Sequence, residues 1–375
     1  MLYRKMDKTG VEVSILGFGC MRLPTLSNGK INENESEKML LYALEKGVNY
    51  IDTAYPYHQG QSELFVGNFL HKHQLRDRIY LATKLPSWLI TSHKDMEYYL
   101  NQQLKRLQTD YIDFYLLHSL NHGFWSNLLQ HDVFRFLKKV QQQGKIGHFG
   151  FSFHYQISLF KKIIDSHDWD FCQIQYNFLD ENFQAGREGL YYAYQKGVDV
   201  IIMEPIKGGK ITENIPETAQ KIWQNAPVKR SPAAWALRWV WHHPQVTMLL
   251  SGMSTLQQVK ENIQTADDGH PDSLTQNEIQ IMDMVKNIYK DQKAINCTAC
   301  EYCLPCPYGV NIPQCLSAYN QWLAGHSDLA QKTYQHIIDE NGQASLCQAC
   351  GECEQKCPQQ LPIRKLLHDA NRALV

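Results

Sequence analysis

The run "IDFYLLH", Ile112–His118, holds four consecutive apolar residues, Phe114 to Leu117, where a strand with one wet face would alternate. Such continuity describes a strand buried on both faces, the mark of a parallel sheet. Seven further short, apolar-rich runs recur along the chain: "VSILGFG" from Val13, "VNYIDTA" from Val48, "IYLATK" from Ile79, "IGHFGFS" from Ile146, "FCQIQYN" from Phe171, "VDVIIMEP" from Val198 and "VTMLLSG" from Val246. Helix-like stretches separate them, and strands alternating with helices imply parallel pairing. Eight such units over about 250 residues predict an α/β fold, the (β/α)8 TIM barrel, whose active-site residues sit at the C-terminal strand ends.

The stretches between carry helix punctuation. "SPAAWALRWVWHHP" offers Ser231 as N-cap, Pro232 at the first helical position and Pro244 as a stop. Trp235 and Trp239, four apart, predict a face packed on the barrel. Before the first barrel strand, "YRKMDKTGVEVS" predicts a hairpin turning near Thr9 and Gly10, placed to plug the barrel floor. After the helical stretch "TQNEIQIMDMVKNIYK" the composition changes to cysteine, proline and glycine, which puts a domain boundary near Asp291. Residues 1–290 are expected to form the barrel, and 291–375 a small, mainly helical domain with a helical insert, "QCLSAYNQWLAGHSDLAQKTYQHIIDE".

Lysine plus arginine (37) nearly balances aspartate plus glutamate (38), so no net field recommends nucleic acid or an anionic membrane as partner. Small ligands are the expected partners. No apolar run reaches the ~18 residues of a membrane span, and "MLYRKMDKTGVEVSILGFG" lacks a signal-peptide core. A cytoplasmic protein is expected. In that reducing compartment, cysteine clusters point to metal ligation or redox chemistry rather than disulfides.

The string "CQACGECEQKCP" spaces Cys347, Cys350, Cys353 and Cys357 as C-x2-C-x2-C-x3-C-P, the spacing of bacterial 4Fe-4S ferredoxins. "CTACEYCLPCP" runs Cys297, Cys300, Cys303 and Cys306 with the last spacer shortened by one residue. Tetrahedral zinc, which C-x2-C pairs also suit, and unliganded thiols are the alternatives. The two strings together resemble a dicluster ferredoxin domain. That resemblance implies two 4Fe-4S clusters, one on Cys297, Cys300, Cys303 and Cys357, the other on Cys347, Cys350, Cys353 and Cys306. Cys20, Cys172 and Cys315 fit no ligand pattern and read as small buried side chains.

Three consecutive strand ends carry the other constellation: "YIDTAYPY" supplies Asp52 and Tyr57, "YLATK" ends in Lys84, and "FYLLH" ends in His118. Singly, each has a structural explanation: helix cap, loop aromatic, solvated charge, satisfied barrel histidine. Jointly and in this order they resemble the aldo/keto reductase family over about residues 1–290. The resemblance implies NAD(P)H-linked reduction of an aldehyde or ketone, or the reverse alcohol oxidation. A phenol is a poor acid at neutrality unless an ammonium beside it favours the phenolate. Tyr57 is then the proton donor, Lys84 its tuner, Asp52 the carboxylate orienting Lys84, and His118 the hydrogen-bond donor to the carbonyl oxygen.

The family's nicotinamide contacts map onto Ser152, Gln173 and Met203, with Phe153 standing where the family has asparagine and Met203 where it stacks a tyrosine. "GFGCMR" lacks the third glycine of a dinucleotide fingerprint and is discounted as one. At the 2′-phosphate end, Gly252 and Gln258 replace the family's lysine and arginine, while Glu261 and Asn262 remain for adenine. Losing two cations weakens selection for the phosphate, so NADH is expected to serve at least comparably with NADPH unless Lys260 or Lys210 substitutes.

A hydride moves two electrons and a cluster accepts one. Three readings follow: a carbonyl reductase with structural or oxygen-sensing clusters; an electron-transfer enzyme coupling clusters to a barrel-bound cofactor or substrate, with a ferredoxin-like partner; and a redox- or nucleotide-sensing binding module. The intact set Asp52, Tyr57, Lys84 and His118 favours enzymes over the third. Trp88 and Trp125, in loops after Lys84 and His118, are candidate apolar pocket walls.

Overall fold

The computed structural model describes residues 1–213, 215–291 and 294–375. These form two compact units, residues 1–206 with 227–279, and residues 207–226 with 280–375. The boundary expected near Asp291 falls at the end of the helix Gln276–Asp291, and residues 292 and 293 beyond it lie outside the described residues. Among the described residues no helix is long and apolar enough to cross a membrane.

The first unit opens with an antiparallel hairpin, β1 (Tyr3–Lys5) and β2 (Glu12–Ser14), turning through Gly10 at φ 72°. Eight strands follow: β3 (Leu16–Gly19), β4 (Tyr50–Asp52), β5 (Tyr80–Leu85), β6 (Ile112–Leu120), β7 (Ile146–Phe153), β8 (Phe171–Gln175), β9 (Asp199–Met203) and β10 (Met248–Ser251). They close into a parallel barrel, β10 pairing with β3, so every apolar run of the sequence is a barrel strand.

Residues two apart on a strand share a face. The inward layer low in the barrel is Tyr50, Ala82, Phe114, Phe171, Ile201 and Met248, joined by Met6 and Val13 of the hairpin, which plugs the floor as expected. Two residues further along the same strands stand Asp52, Lys84, Leu116 and Gln173, and His118 follows on β6, so the apolar stack ends in a polar rim at the C-terminal mouth. Space inside is tight: a Cβ on Gly17 would lie 2.4 Å from Met248 Cε and 2.7 Å from Leu250 Cδ2. The glycine that begins "GFG" serves barrel closure.

Outside the barrel, the helix Pro232–Trp241 begins as its sequence predicts, with Ser231 Oγ accepting from the Ala234 N–H at 3.1 Å. Trp235 and Trp239 are both buried. In the second unit, helices Ile312–Leu323, Ser327–Asp339 and Ile363–Leu374 enclose a core that includes Leu316, Tyr334, Ile337 and Leu367. The first two are the expected helical insert, separated by Gly325 at φ 86°. Both cysteine strings pack against this core. Cys20, Cys172 and Cys315 are buried, as expected.

Candidate functional site

The barrel mouth brings Asp52, Tyr57, Lys84 and His118 together. Lys84 Nζ donates to Asp52 Oδ1 at 2.5 Å and to the Thr53 carbonyl at 2.9 Å, and lies 3.3 Å from Tyr57 Oη. Lys84 is 1 % exposed and Asp52 3 %, so this ion pair is sealed from bulk water. Burial pulls the ammonium down from its ordinary range, and the Asp52 carboxylate opposes that shift. Tyr57 leaves β4 on a sharp turn in which His58, Gln59 and Gly60 are all left-handed, at φ 50°, 55° and 85°. Two non-glycine residues there cost about 1–3 kcal/mol each, the kind of strain that collects where a side chain must be aimed.

His118 sits at a register irregularity between Leu117 and Leu120, where Ser119 turns left-handed at φ 55°. Such bulges re-aim side chains beside active sites. Its ring centroid is 6.1 Å from that of Tyr57 and 5.2 Å from that of Trp88. Burial, with Lys84 and His154 nearby, keeps its imidazole well below the ordinary range and therefore neutral. His154, one residue beyond β7, is held down to about 4 by burial against a Gln184 hydrogen bond. The sequence offered no signal for it, because its nearness to Lys84 and His118 exists only in the closed barrel.

A second buried network backs the first. Gln103 Nε2 donates to the Lys84 carbonyl at 2.9 Å and to Glu63 Oε1 at 2.7 Å, while Thr83 Oγ1 donates to the same Glu63 oxygen at 2.7 Å. Arg106 pairs with Glu63 and stacks at 4.4 Å over Tyr55, two residues before Tyr57. Glu63 lies on the helix Gln61–His73 and Gln103 and Arg106 on the helix His93–Leu107, and the sequence analysis singled out none of them. The two loop tryptophans separate: Trp88 faces His118, whereas Trp125 is buried against Phe134 and Trp169 and belongs to the packing.

The residues expected at the nucleotide are placed as follows. Ser152 Oγ accepts from the Ser119 N–H at 2.8 Å, and Gln173 Nε2 donates to Asp52 Oδ2 at 2.8 Å, which wires Gln173 into the ion pair. Phe153, in place of asparagine, packs outward on Phe151 and Phe160, with Phe160 in the helix Ile157–Ser166. Met203 ends β9 half-buried. Gly252 follows β10 and lies under the Arg22 stem, whose Cβ and Cγ are each 3.2 Å from where a glycine Cβ would be. Gln258 Oε1 accepts from the Ser254 N–H at 2.8 Å, Glu261 from the Ser231 hydroxyl, and Asn262 Nδ2 donates to Ser251 Oγ at 3.0 Å. Lys260 lies over the Tyr42 ring at 5.6 Å, and Lys210, in the second unit, donates to the Ile295 carbonyl at 2.5 Å. The cation lying along Gly252 is Arg22, a residue the sequence did not single out.

In the second unit the eight cysteines line two cavities. Cys306, Cys347, Cys350 and Cys353 line one; Cys297, Cys300 and Cys357 line the other; Cys303 borders both. The two strings repeat one backbone device. Ala299 and Ala349 precede the second cysteine of each triplet at φ 49° and 54°, and Glu301 and Gly351 follow it at φ 64° and 83°. Paired left-handed residues turn a C-x2-C-x2-C loop inward on itself, a conformation three of these four residues adopt only at a cost. Burial and neighbouring thiols raise Cys353 to about 11 and push Cys303 and Cys357 up. Thiolates there need positive charge, which fits an iron cluster with a thiolate at each corner. Among the described residues no group of three or more His, Cys, Asp or Glu is placed to hold a single metal ion.

Residues 15–286 match the aldo/keto reductase family, and residues 296–362 match a 4Fe-4S dicluster domain. The "Uncharacterized oxidoreductase YqkF" of Bacillus subtilis is 25 % identical over 325 residues, covering 78 % of this chain and 100 % of its own. L-galactose dehydrogenase of Arabidopsis thaliana is 26 % identical, covering 76 % of this chain and 95 % of its own. The aldo-keto reductase AKR11C1 of Bacillus halodurans, solved in a holo form, superposes with a TM-score of 0.63 at 28 % identity, covering 76 % of this chain and 96 % of its own. The polar rim at the mouth of a closed (β/α)8 barrel and the family match over most of the chain agree: this protein belongs to the aldo/keto reductase family and carries a C-terminal 4Fe-4S dicluster domain.

Proposed function

We propose that the barrel interconverts an aldehyde or ketone with its alcohol, using a nicotinamide dinucleotide, with Tyr57 as the proton donor. The observation that carries this is the sealed contact of Lys84 Nζ with both Asp52 and Tyr57 at the barrel mouth. A reduced nicotinamide held at the mouth would supply the hydride for the carbonyl carbon. Tyr57 Oη gives its proton to the carbonyl oxygen, and the ammonium 3.3 Å away stabilises the phenolate that results. Asp52 keeps Lys84 protonated, Gln173 fixes the second oxygen of Asp52, and neutral His118 donates a hydrogen bond to the substrate oxygen. Trp88 forms an apolar wall beside that oxygen. In the reverse direction Tyr57 is the base.

Ser152, Gln173, Met203, Gly252, Gln258, Glu261 and Asn262 are the proposed nucleotide contacts. NADH serves at least comparably with NADPH, since Gly252 and Gln258 offer no cation to a 2′-phosphate. Functionally, residues 1–290 are the reductase and 291–375 the cluster domain, with one 4Fe-4S cluster in each cysteine cradle. The halodurans relative's holo form and the dehydrogenase named among the relatives support a cofactor-bound redox barrel.

A second reading, an electron-transfer enzyme served by a ferredoxin-like partner, draws on one observation: Cys350 is exposed, so its cradle opens to solvent. Anaerobic protein mixed with NADH and then NADPH, before and after an aldehyde or ketone is added, separates the two. Nicotinamide consumed only with carbonyl present, by both coenzymes, supports the reductase. Bleaching of the iron-sulfur absorption by nicotinamide alone supports electron transfer, and a strong preference for NADPH contradicts the coenzyme assignment.

A further inference from the structure

The two cysteine cradles are built alike in backbone and unlike in charge. Among the described residues, the cradle of Cys297, Cys300 and Cys357 is bordered by Glu301 and by apolar side chains including Leu316, Leu361 and Ile363, with no lysine or arginine on its lining. The cradle of Cys306, Cys347, Cys350 and Cys353 is bordered by Lys356, Arg364 and Glu352.

Arg364 is locked in place. It lies in the first turn of the helix Ile363–Leu374, where its backbone N–H donates to Glu354 Oε1 at 2.9 Å and its guanidinium reaches Glu354 Oε2 from Nε at 3.0 Å and from a terminal nitrogen at 2.8 Å. Gly351, at φ 83°, lies between Cys350 and Cys353, and a Cβ there would be 3.7 Å from Arg364 Cζ and 3.8 Å from two of its nitrogens. The missing side chain lets the guanidinium lie against the loop that carries these cysteines.

We propose that Arg364 is a tuning residue for the cradle of Cys306, Cys347, Cys350 and Cys353, making the cluster held there the easier of the two to reduce. This rests on the reading that each cradle holds a 4Fe-4S cluster. One-electron reduction adds a negative charge to an already anionic cluster and its thiolates. A cation beside it stabilises the reduced form, and an acidic or apolar border does not. An electron shared between the two clusters therefore rests on the Cys347 side: the cluster of Cys297 is oxidised by one electron as its neighbour is reduced by one. Reducing equivalents leave from the cradle with the exposed Cys350.

The test is a redox titration followed by EPR on the anaerobically reconstituted full chain. Two one-electron midpoints are expected in the wild type. Arg364→Gln lowers the higher midpoint and leaves the lower in place, Glu354→Gln raises the same higher midpoint, and Arg364→Lys, which keeps the charge, leaves it near the wild-type value. Midpoints that stay put in both Arg364→Gln and Glu354→Gln, at full iron content, overturn the proposal, as does movement of the lower one. Wild-type protein with iron for fewer than two clusters, or with no reduced-cluster EPR signal, contradicts instead the reading that each cradle holds a cluster. Full iron content and an unmoved lower midpoint in the variants show that folding is intact.

Discussion

The barrel mouth and the cysteine cradles answer the same problem, buried polar groups, in opposite ways. At the mouth, Asp52, Lys84, Gln173 and Thr53 satisfy one another through hydrogen bonds of 2.5–2.9 Å. Behind them Glu63, Thr83, Gln103 and Tyr115 form a second set, tied to the first through the Lys84 carbonyl. In the cradles backbone N–H groups reach some of the sulfurs, Ala349 N–H donating to Cys347 Sγ at 3.4 Å, yet burial still drives Cys303 and Cys353 away from the thiolate form that ligation needs. The polar groups of the barrel mouth are held by protein alone, whereas the cysteine cradles fit a group that supplies positive charge. A buried polar network is worth its desolvation only when every member is paired.

Removing the metal is the harshest way to test that contrast. Chelation of iron is expected to strip amide-exchange protection from the cradle loops and the helix Ile363–Leu374 while the barrel strands keep theirs, because ligand binding and folding are one event in small metal domains. Equal loss in both units would erase the distinction. A smaller effect is expected inside the barrel. Lys84→Met leaves Asp52 buried without its cation and should cost about 3–5 kcal/mol of barrel stability in a denaturant titration.

The tryptophans sharpen the comparison further. Trp125→Ala should cost about 3–5 kcal/mol, as a cavity in the packed layer of Phe134 and Trp169, with little change in KM for the wild-type-like fraction. Trp88→Ala should do the reverse, raising KM for bulky carbonyls while Tm moves little. The gentlest probe is pH. The depressed values of His118, and of His154 at about 4, mean that the unfolded chain takes up protons below its ordinary histidine value of about 6.5 while the native chain does not. Stability is therefore fully present above that value and is lost as pH falls through the interval toward 4, at up to about 1.4 kcal/mol per pH unit for each such histidine. His118→Asn should flatten that slope in acid-denaturation curves; an unchanged slope would mean that His118 is charged in the fold.

Much of this was legible in the sequence, because the strongest signals are local. Continuous apolar runs such as "FYLL" have one structural home, and Ser231 with Pro232 dictates a helix start whatever surrounds it. The mouth residues were legible because strand ends of a barrel must converge. What was not legible depends on which way a side chain faces after closure. Nothing in "SWLITSH" or "HGFWSN" says that Trp88 turns toward His118 and Trp125 away. Phe153 read as a departure from the family's asparagine, and the structure places its ring in the helix layer, on Phe160. Arg22 lies far in sequence from Gly252 and meets it only because β3 pairs with β10. The Glu63, Gln103 and Arg106 network went unnoticed, since three helical positions give no sign of a shared buried contact until two helices are packed against β5.

The measurement that tests the central claim most directly is single-turnover oxidation of NADH by an aldehyde or ketone, comparing wild-type protein with Tyr57→Phe under anaerobic conditions at matched iron content. The account predicts that removing the phenol oxygen slows the hydride step by about 10²–10⁴-fold, the usual worth of a general acid, while the iron-sulfur spectrum stays unchanged. Turnover of every carbonyl at the wild-type rate in Tyr57→Phe would contradict it.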